Sequence, residues 1–245
     1  MNSFLRPNWP APQNIKAYTT LRAGGVSLPP YDQFNLATHV ADNHDHVKTN
    51  RMLLKQTLQL PAEPIWIKQT HSTLAIPAEL GNTEKEADAS FTQQPKQICI
   101  VLTADCLPIL LCNRQGTHVA AVHAGWRGLA NGIIEATLKM LNLPGEDILA
   151  WLGPAISARH YEVGNEVRDA FISQHPEALA AFTASSKNQH WFADLYLLAQ
   201  LRLKKQGITS IHGGNYCTYS DKDNFFSYRR DGAQTGRMAS LIWVE

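Results

Sequence analysis

Apolar positions along the chain recur with two periods, one helical and one strand-like. Between Asn43 and Leu60 the residues Val47, Leu53, Leu54, Leu58 and Leu60 fall loosely on one helical face, and Pro61 predicts the end of that helix. Residues 97–112, QICIVLTADCLPILLC, form two apolar runs separated by Thr103, Ala104, Asp105 and Cys106. Neither run can span a membrane, and together they predict two buried strands meeting at a polar joint. THVAAVH predicts a further strand, AGWRG a tight glycine turn, and GLANGIIEATLKML a helix with Leu129, Ile133, Ala136 and Met140 on one face. ILAWLGPAI followed by VGNEVRDAFISQ repeats the strand-to-helix pattern, with Val163, Val167 and Phe171 at helical steps. FADLYLLAQLRLKKQG predicts a helix whose stop is written in Lys204, Lys205 and Gly207: cations oppose the negative helix end, and glycine admits a left-handed cap. TYSDKDNFFSYRRDGAQTGR is polar and turn-rich and predicts a long functional loop, after which MASLIWV returns to strand pattern.

Strands alternating with helices, with some strands adjacent, predict a mixed-sheet α/β or α+β architecture in a single domain over residues 1–245. A hydrophobic content of 44% in 245 residues is enough for a sizeable core and excludes a disordered or fibrous chain. With 22 basic and 21 acidic residues the formal charge is +1, too small to favour nucleic acid or a membrane surface as partner. The chain shows no signal-peptide pattern and no apolar stretch of spanning length, which predicts a soluble cytoplasmic protein. Cys99, Cys106, Cys112 and Cys217 make neither a disulfide framework nor a CxxC zinc ribbon. GxGxxG and GxxxxGK are both missing, so the usual nicotinamide and Walker cradles are excluded.

Three polar residues lie at the ends of apolar runs: His71 in IKQTHS, Cys106 in LTADCLP and His123 in AAVHAGWRG. Two imidazoles and a thiolate suit a borderline metal such as zinc and leave a fourth position for water or substrate, as in a catalytic site. Their wide separation along the chain carries no metal signature of its own, and core histidines with a buried free cysteine account for the same residues. A third reading makes Cys106 a nucleophile with a histidine as its base. Arg127, beside Gly125 and Gly128, and Arg22, before Gly24 and Gly25, could each clamp an anion or form an ordinary surface pair. Asp105, between buried strands, is expected to accept hydrogen bonds or orient a ligand, and a purely structural turn accounts for it equally well. His44 and His46 form a lone HxH pair, against the several that trinuclear copper needs, and His175 with Glu177 lacks the PCxxC that completes a nucleobase-deaminase site.

KQTHS, ADAS, TADCLPILL, HAGWRGLANGI, LGPAIS and FSYRRDGAQTGRMAS, in this order from about Tyr18 to the C-terminus, resemble one bacterial family. Its members have been called laccase-domain protein, polyphenol oxidase, peptidoglycan editing factor and purine nucleoside phosphorylase. The resemblance implies a layered fold with mixed β-sheets flanked by helices, similar to the catalytic domain of the cytotoxic necrotizing factor deamidases. It implies one zinc, in some members copper, on His71, Cys106 and His123. It further implies phosphorolysis of adenosine, inosine, guanosine and methylthioadenosine, with adenosine deamination at the same site, so that the partners are purine nucleosides and phosphate. Arg22 and Arg127 are then candidates for holding the anion, and Asn35, Lys68 and Gln69 for contacting ribose or base. A cysteine hydrolase or amidase acting on cell-wall precursors, a copper-dependent phenol oxidase and a non-catalytic metal-binding protein stay open as alternatives.

Overall fold

The structure is a computed structural model that describes residues 3–80 and 85–245. Its first half runs β1 (Phe4–Leu5), β2 (Ile15–Thr20), α1 (His44–Thr57), β3 (Ala75–Pro77), β4 (Ala89–Thr92), β5 (Ile98–Thr103), β6 (Leu107–Asn113) and β7 (Val119–Ala124). Next come α2 (Trp126–Asn131), α3 (Ile133–Leu141), β8 (Ile148–Leu152), β9 (Glu162–Gly164) and α4 (Asn165–Ile172). The chain continues through β10 (Phe182–Ala184), β11 (His190–Ala193), α5 (Leu195–Lys205), β12 (Ser210–Gly213), α6 (Tyr228–Asp231) and β13 (Met238–Val244).

Two sheets form the centre. One is antiparallel in the order β1-β2-β13-β5, and the other is mixed in the order β12-β8-β6-β7-β4-β3, parallel where β12 meets β8 and β3 meets β4. Alternation along each strand assigns its side chains to two separate cores. In β6, Leu110 and Cys112 pack against Cys99, Val101, Ile242 and Val244 of the facing sheet, while Leu107, Ile109 and Leu111 pack beneath α2, α3, α4 and α5. The outer face of the antiparallel sheet, with Ile100, Leu102 and Leu241, is covered by Leu54 of α1 and by Phe34 and Leu36. The layers thus run helix, sheet, sheet, helices, which is why the central strands read as uninterrupted apolar runs. A small antiparallel sheet, β10-β11-β9, shares no strand with either and adds Val163, Phe182 and Ala193 to the core beneath the helices.

The fold class follows the sequence pattern, and several element boundaries differ from it: Val163, expected on a helix, lies in β9, and the stretch expected as a loop contains α6. The first helix ends at Thr57 because Gln59 takes a left-handed φ of 49°, before Pro61 is reached; Asn43 caps its start by accepting from the Asp45 N–H. The single helix expected over 128–141 is two, since Gly132 at φ 102° breaks it between α2 and α3. The helix expected from Phe192 starts at Leu195, capped by Asp194, and residues 190–193 are strand; its stop at Gly207 is as read, with φ 81°. Among the described residues no helix is long and apolar enough to cross a membrane.

Candidate metal centre and its cleft

The polar joint between the two apolar runs is a crossing from one sheet to the other. β5 belongs to the antiparallel sheet and β6 to the mixed one, so residues 104–106 span the gap between their ends. Asp105 makes the turn at φ 91° and is held there: its Oδ1 accepts from Thr218 Oγ1 at 2.6 Å, its Oδ2 from the Arg229 N–H at 2.6 Å, and its carbonyl from the Ile156 N–H. Cys106 follows immediately and stands at the start of β6. In register, β6 begins beside the end of β7, which carries His123 opposite Pro108. His71 comes from the loop before β3, itself at φ 60°. One ligand atom from each of the three lies within 4.8 Å of the others, and the two imidazole rings are 4.9 Å apart. Among the described residues this is the one group of three such side chains that could share a metal.

Asp88, fully buried, ties two of these side chains together. Its Oδ1 accepts from the His71 N–H at 3.1 Å and from His123 Nδ1 at 2.7 Å. Its Oδ2 accepts from the N–H groups of Thr70 and Ser72 and from Ser72 Oγ. Burial alone would push this carboxyl up, but the bonds from His123 and Ser72 outweigh it and hold the group ionised, well below the usual carboxylate range. Against the cost of burial, Cys106 and Asp88 raise His123, and burial together with the neighbouring His123 lowers His71. A carboxylate on Nδ1 fixes the His123 tautomer and turns Nε2 toward the cluster.

Two observations test whether a cation fits. His71 Nδ1 is buried and has no hydrogen-bond partner, an arrangement that costs free energy unless something else takes the lone pair. A Cβ on Gly125 would come within 2.5 Å of that nitrogen and 3.1 Å of Cys106 Sγ, so the missing side chain keeps the space between the ligands open. Nitrogen and sulfur donors of this kind match zinc or a soft copper ion.

The cluster lies at one end of a cleft of about 450 Å³. Trp126, Tyr161 and Tyr228 supply aromatic surface, and Arg127, Arg229 and Arg237 supply cations. Of the residues predicted from sequence, Arg127 and Gln69 line the cleft beside the three ligands. The Gln69 amide donates to the Leu102 carbonyl at 2.8 Å and accepts its N–H at 2.7 Å, so it holds backbone at the cleft wall. Arg22 is elsewhere, bonded to the carbonyls of Asp32 and Lys222 and stacked on Phe226, in a separate depression. Asn35 is buried and bonds Ala37, Asp42 and the Arg237 N–H, leaving nothing to offer a sugar. Lys68 points outward to Glu86 at 2.9 Å. Sequence reasoning missed Asp88, Tyr161, Tyr228, Arg229 and Arg237. The available signal was the polar stretch FSYRRDGAQTGR, rich in arginine between two apolar segments.

Relatives extend over the whole chain. A purine nucleoside phosphorylase of Pseudomonas aeruginosa is 48% identical over 245 residues, 100% of both chains. The purine nucleoside phosphorylase YfiH of Escherichia coli is 49% identical over 246 residues, again 100% of both. The crystal structure of a Neisseria meningitidis protein superposes with a TM-score of 0.95 at 48% identity, covering 100% of each chain. YlmD from Geobacillus stearothermophilus superposes with a TM-score of 0.92 at 26% identity, over 100% of this chain and 97% of that one. Residues 16–245, with the His–Cys–His cluster and the cleft beside it, match the family described as multi-copper polyphenol oxidoreductase laccase, and the chain belongs to that family.

Proposed function

We propose that this protein is a zinc-dependent purine nucleoside phosphorylase, acting on adenosine, inosine, guanosine and methylthioadenosine, that also deaminates adenosine at the same site. The observation that carries the reading is the meeting of a three-ligand cluster with a cleft walled by aromatic rings and guanidinium groups, the surfaces a flat base and an anion require. Relatives near 50% identity that bear the phosphorylase name support it.

In phosphorolysis a phosphate oxygen attacks C1′ of the ribose while the C1′–N9 bond breaks. Its electron pair leaves with the purine, which takes up a proton. The sugar passes through oxocarbenium character, so the enzyme must hold an anion against it and keep water away. His71, Cys106 and His123 would hold the cation, which when bound supplies Lewis acidity next to the reactants. Asp88 keeps His123 in the ligating tautomer, and Arg127 offers charge at the cleft wall. In deamination a water replaces the C6 amine of adenosine and ammonia leaves.

The test is metal analysis of the purified protein together with inosine turnover with and without phosphate. Hypoxanthine release that needs phosphate, and that disappears with the zinc in Cys106→Ala, is the expected result. Equal turnover without phosphate, or unchanged metal and rate in that variant, would overturn the reading. Cys106 Sγ and a His123 ring nitrogen within 4.8 Å of each other also fit a thiolate amidase; full activity after exhaustive chelation, with a trapped thioester, is its signature.

A further inference from the structure

Arg22, Arg168, Arg202 and Arg230 each meet a carboxylate. Arg127, Arg229 and Arg237, the three that line the cleft, meet none among the described residues. The one carboxylate in the cleft wall is Asp105, and both of its oxygens already accept bonds from Thr218 Oγ1 and the Arg229 N–H. Three guanidinium charges against one carboxylate leave the charge of a phosphate dianion uncompensated. Arg237 is the best anchored of the three. Its Nη1 donates to the carbonyls of Thr235 and Gly236 at 2.7 and 3.0 Å, and its backbone N–H is held by Asn35 Oδ1 at 3.0 Å. Nε and Nη2 have no acceptor among the described residues, and two adjacent N–H groups on a fixed fork match two oxygens of a tetrahedral oxyanion. Arg229 is steadied in the same way, through Glu162 O and the face of Tyr161.

We propose that Arg237 and Arg229, with Arg127 on the same cleft wall, form the oxyanion subsite of the cleft, and that its ligand is inorganic phosphate. The subsite therefore draws on α6, α2 and the residue just before β13, and not on Arg22. The assignment rests on the phosphorolysis reading for its ligand and on the uncompensated guanidinium groups for its place.

Calorimetric titration of inorganic phosphate into the zinc-loaded protein, in phosphate-free buffer, tests it alongside inosine kinetics. Arg237→Gln and Arg229→Gln are each expected to weaken phosphate binding and to raise the KM for phosphate by about tenfold or more. The KM for inosine should move by less than about twofold, and Lys55→Gln, a surface change outside the cleft, should alter neither. Arg229→Gln preserves the backbone bond to Asp105, so it keeps the test open if Arg237→Gln fails to fold. Wild-type phosphate affinity in both variants would overturn the subsite even if phosphorolysis is real. Phosphate binding that depends on Arg237 in a protein that phosphorolyses nothing would overturn the reaction and leave the subsite standing. A purine nucleoside 5′-monophosphate titrated in parallel separates the other source of the same group: Arg237-dependent affinity for it, with none for free phosphate, would overturn the ligand named here.

Discussion

Asp88 shows how much a single buried carboxylate can organise. Five donors converge on it, two of them from residues that carry candidate metal ligands. Asp88→Asn keeps the size but puts an amide where an acceptor is needed, so it breaks the His123 tautomer and leaves N–H groups of the His71 loop without a partner, at about 1–3 kcal/mol each. Metal affinity should fall by about 10- to 100-fold, read by competition against a chelator, with a lowered melting temperature. Gly125 gives the complementary test. Its φ of −66° and ψ of 157° suit alanine, so Gly125→Ala strains no backbone and acts only by placing a methyl against His71 Nδ1 and Cys106 Sγ. The expected outcome is a near-normal melting curve with metal content reduced by an order of magnitude. His71, Cys106 and His123 stood out in the sequence as polar residues at the ends of apolar runs, and the family resemblance, not their spacing, drew them together as candidate ligands. Asp88 was not, because in ADAS it sits among small residues and its importance comes from partners far along the chain.

At the scale of elements, legibility followed burial. β6, β7 and β8 are covered on both faces, so their apolar runs announced them, while β1, β3 and the short strands β9 to β12 offer too few residues for any period to register. A period of two says that a residue is strand but not which sheet the strand joins, which is why the passage from β5 to β6 looked like a joint and is a crossing. Asp105 binds that crossing to α6 and the segment before it. Asp105→Gly would relieve the left-handed backbone at this position while releasing Thr218 and Arg229. Trypsin should then cut at Arg229 or Arg230 faster than in the parent protein, by about tenfold. Equal cutting rates would show that α6 is held by other contacts.

Across the whole molecule, the candidate site exists only because two sheets end together. Thr103 and Met238 are paired at the end of one, and Leu107 and Ala124 at the end of the other, so the cleft is walled from both. No reading of one segment could have assembled it, and the arginine-rich approach to β13 had no place beside the ligands until that strand was set beside β5. The pairing order has a further result. β5 is the outer strand of its sheet, and ICIVLT is an apolar, uncharged run of the kind that recruits another strand. Gln69 answers the Leu102 N–H and carbonyl with its own amide, so one side chain stands in for a missing neighbour. Gln69→Ala should therefore show itself first as self-association on size-exclusion chromatography, before catalysis is assayed at all. The glutamine completes the hydrogen bonding at the end of this strand, and resistance to association at high protein concentration is the property that the substitution tests.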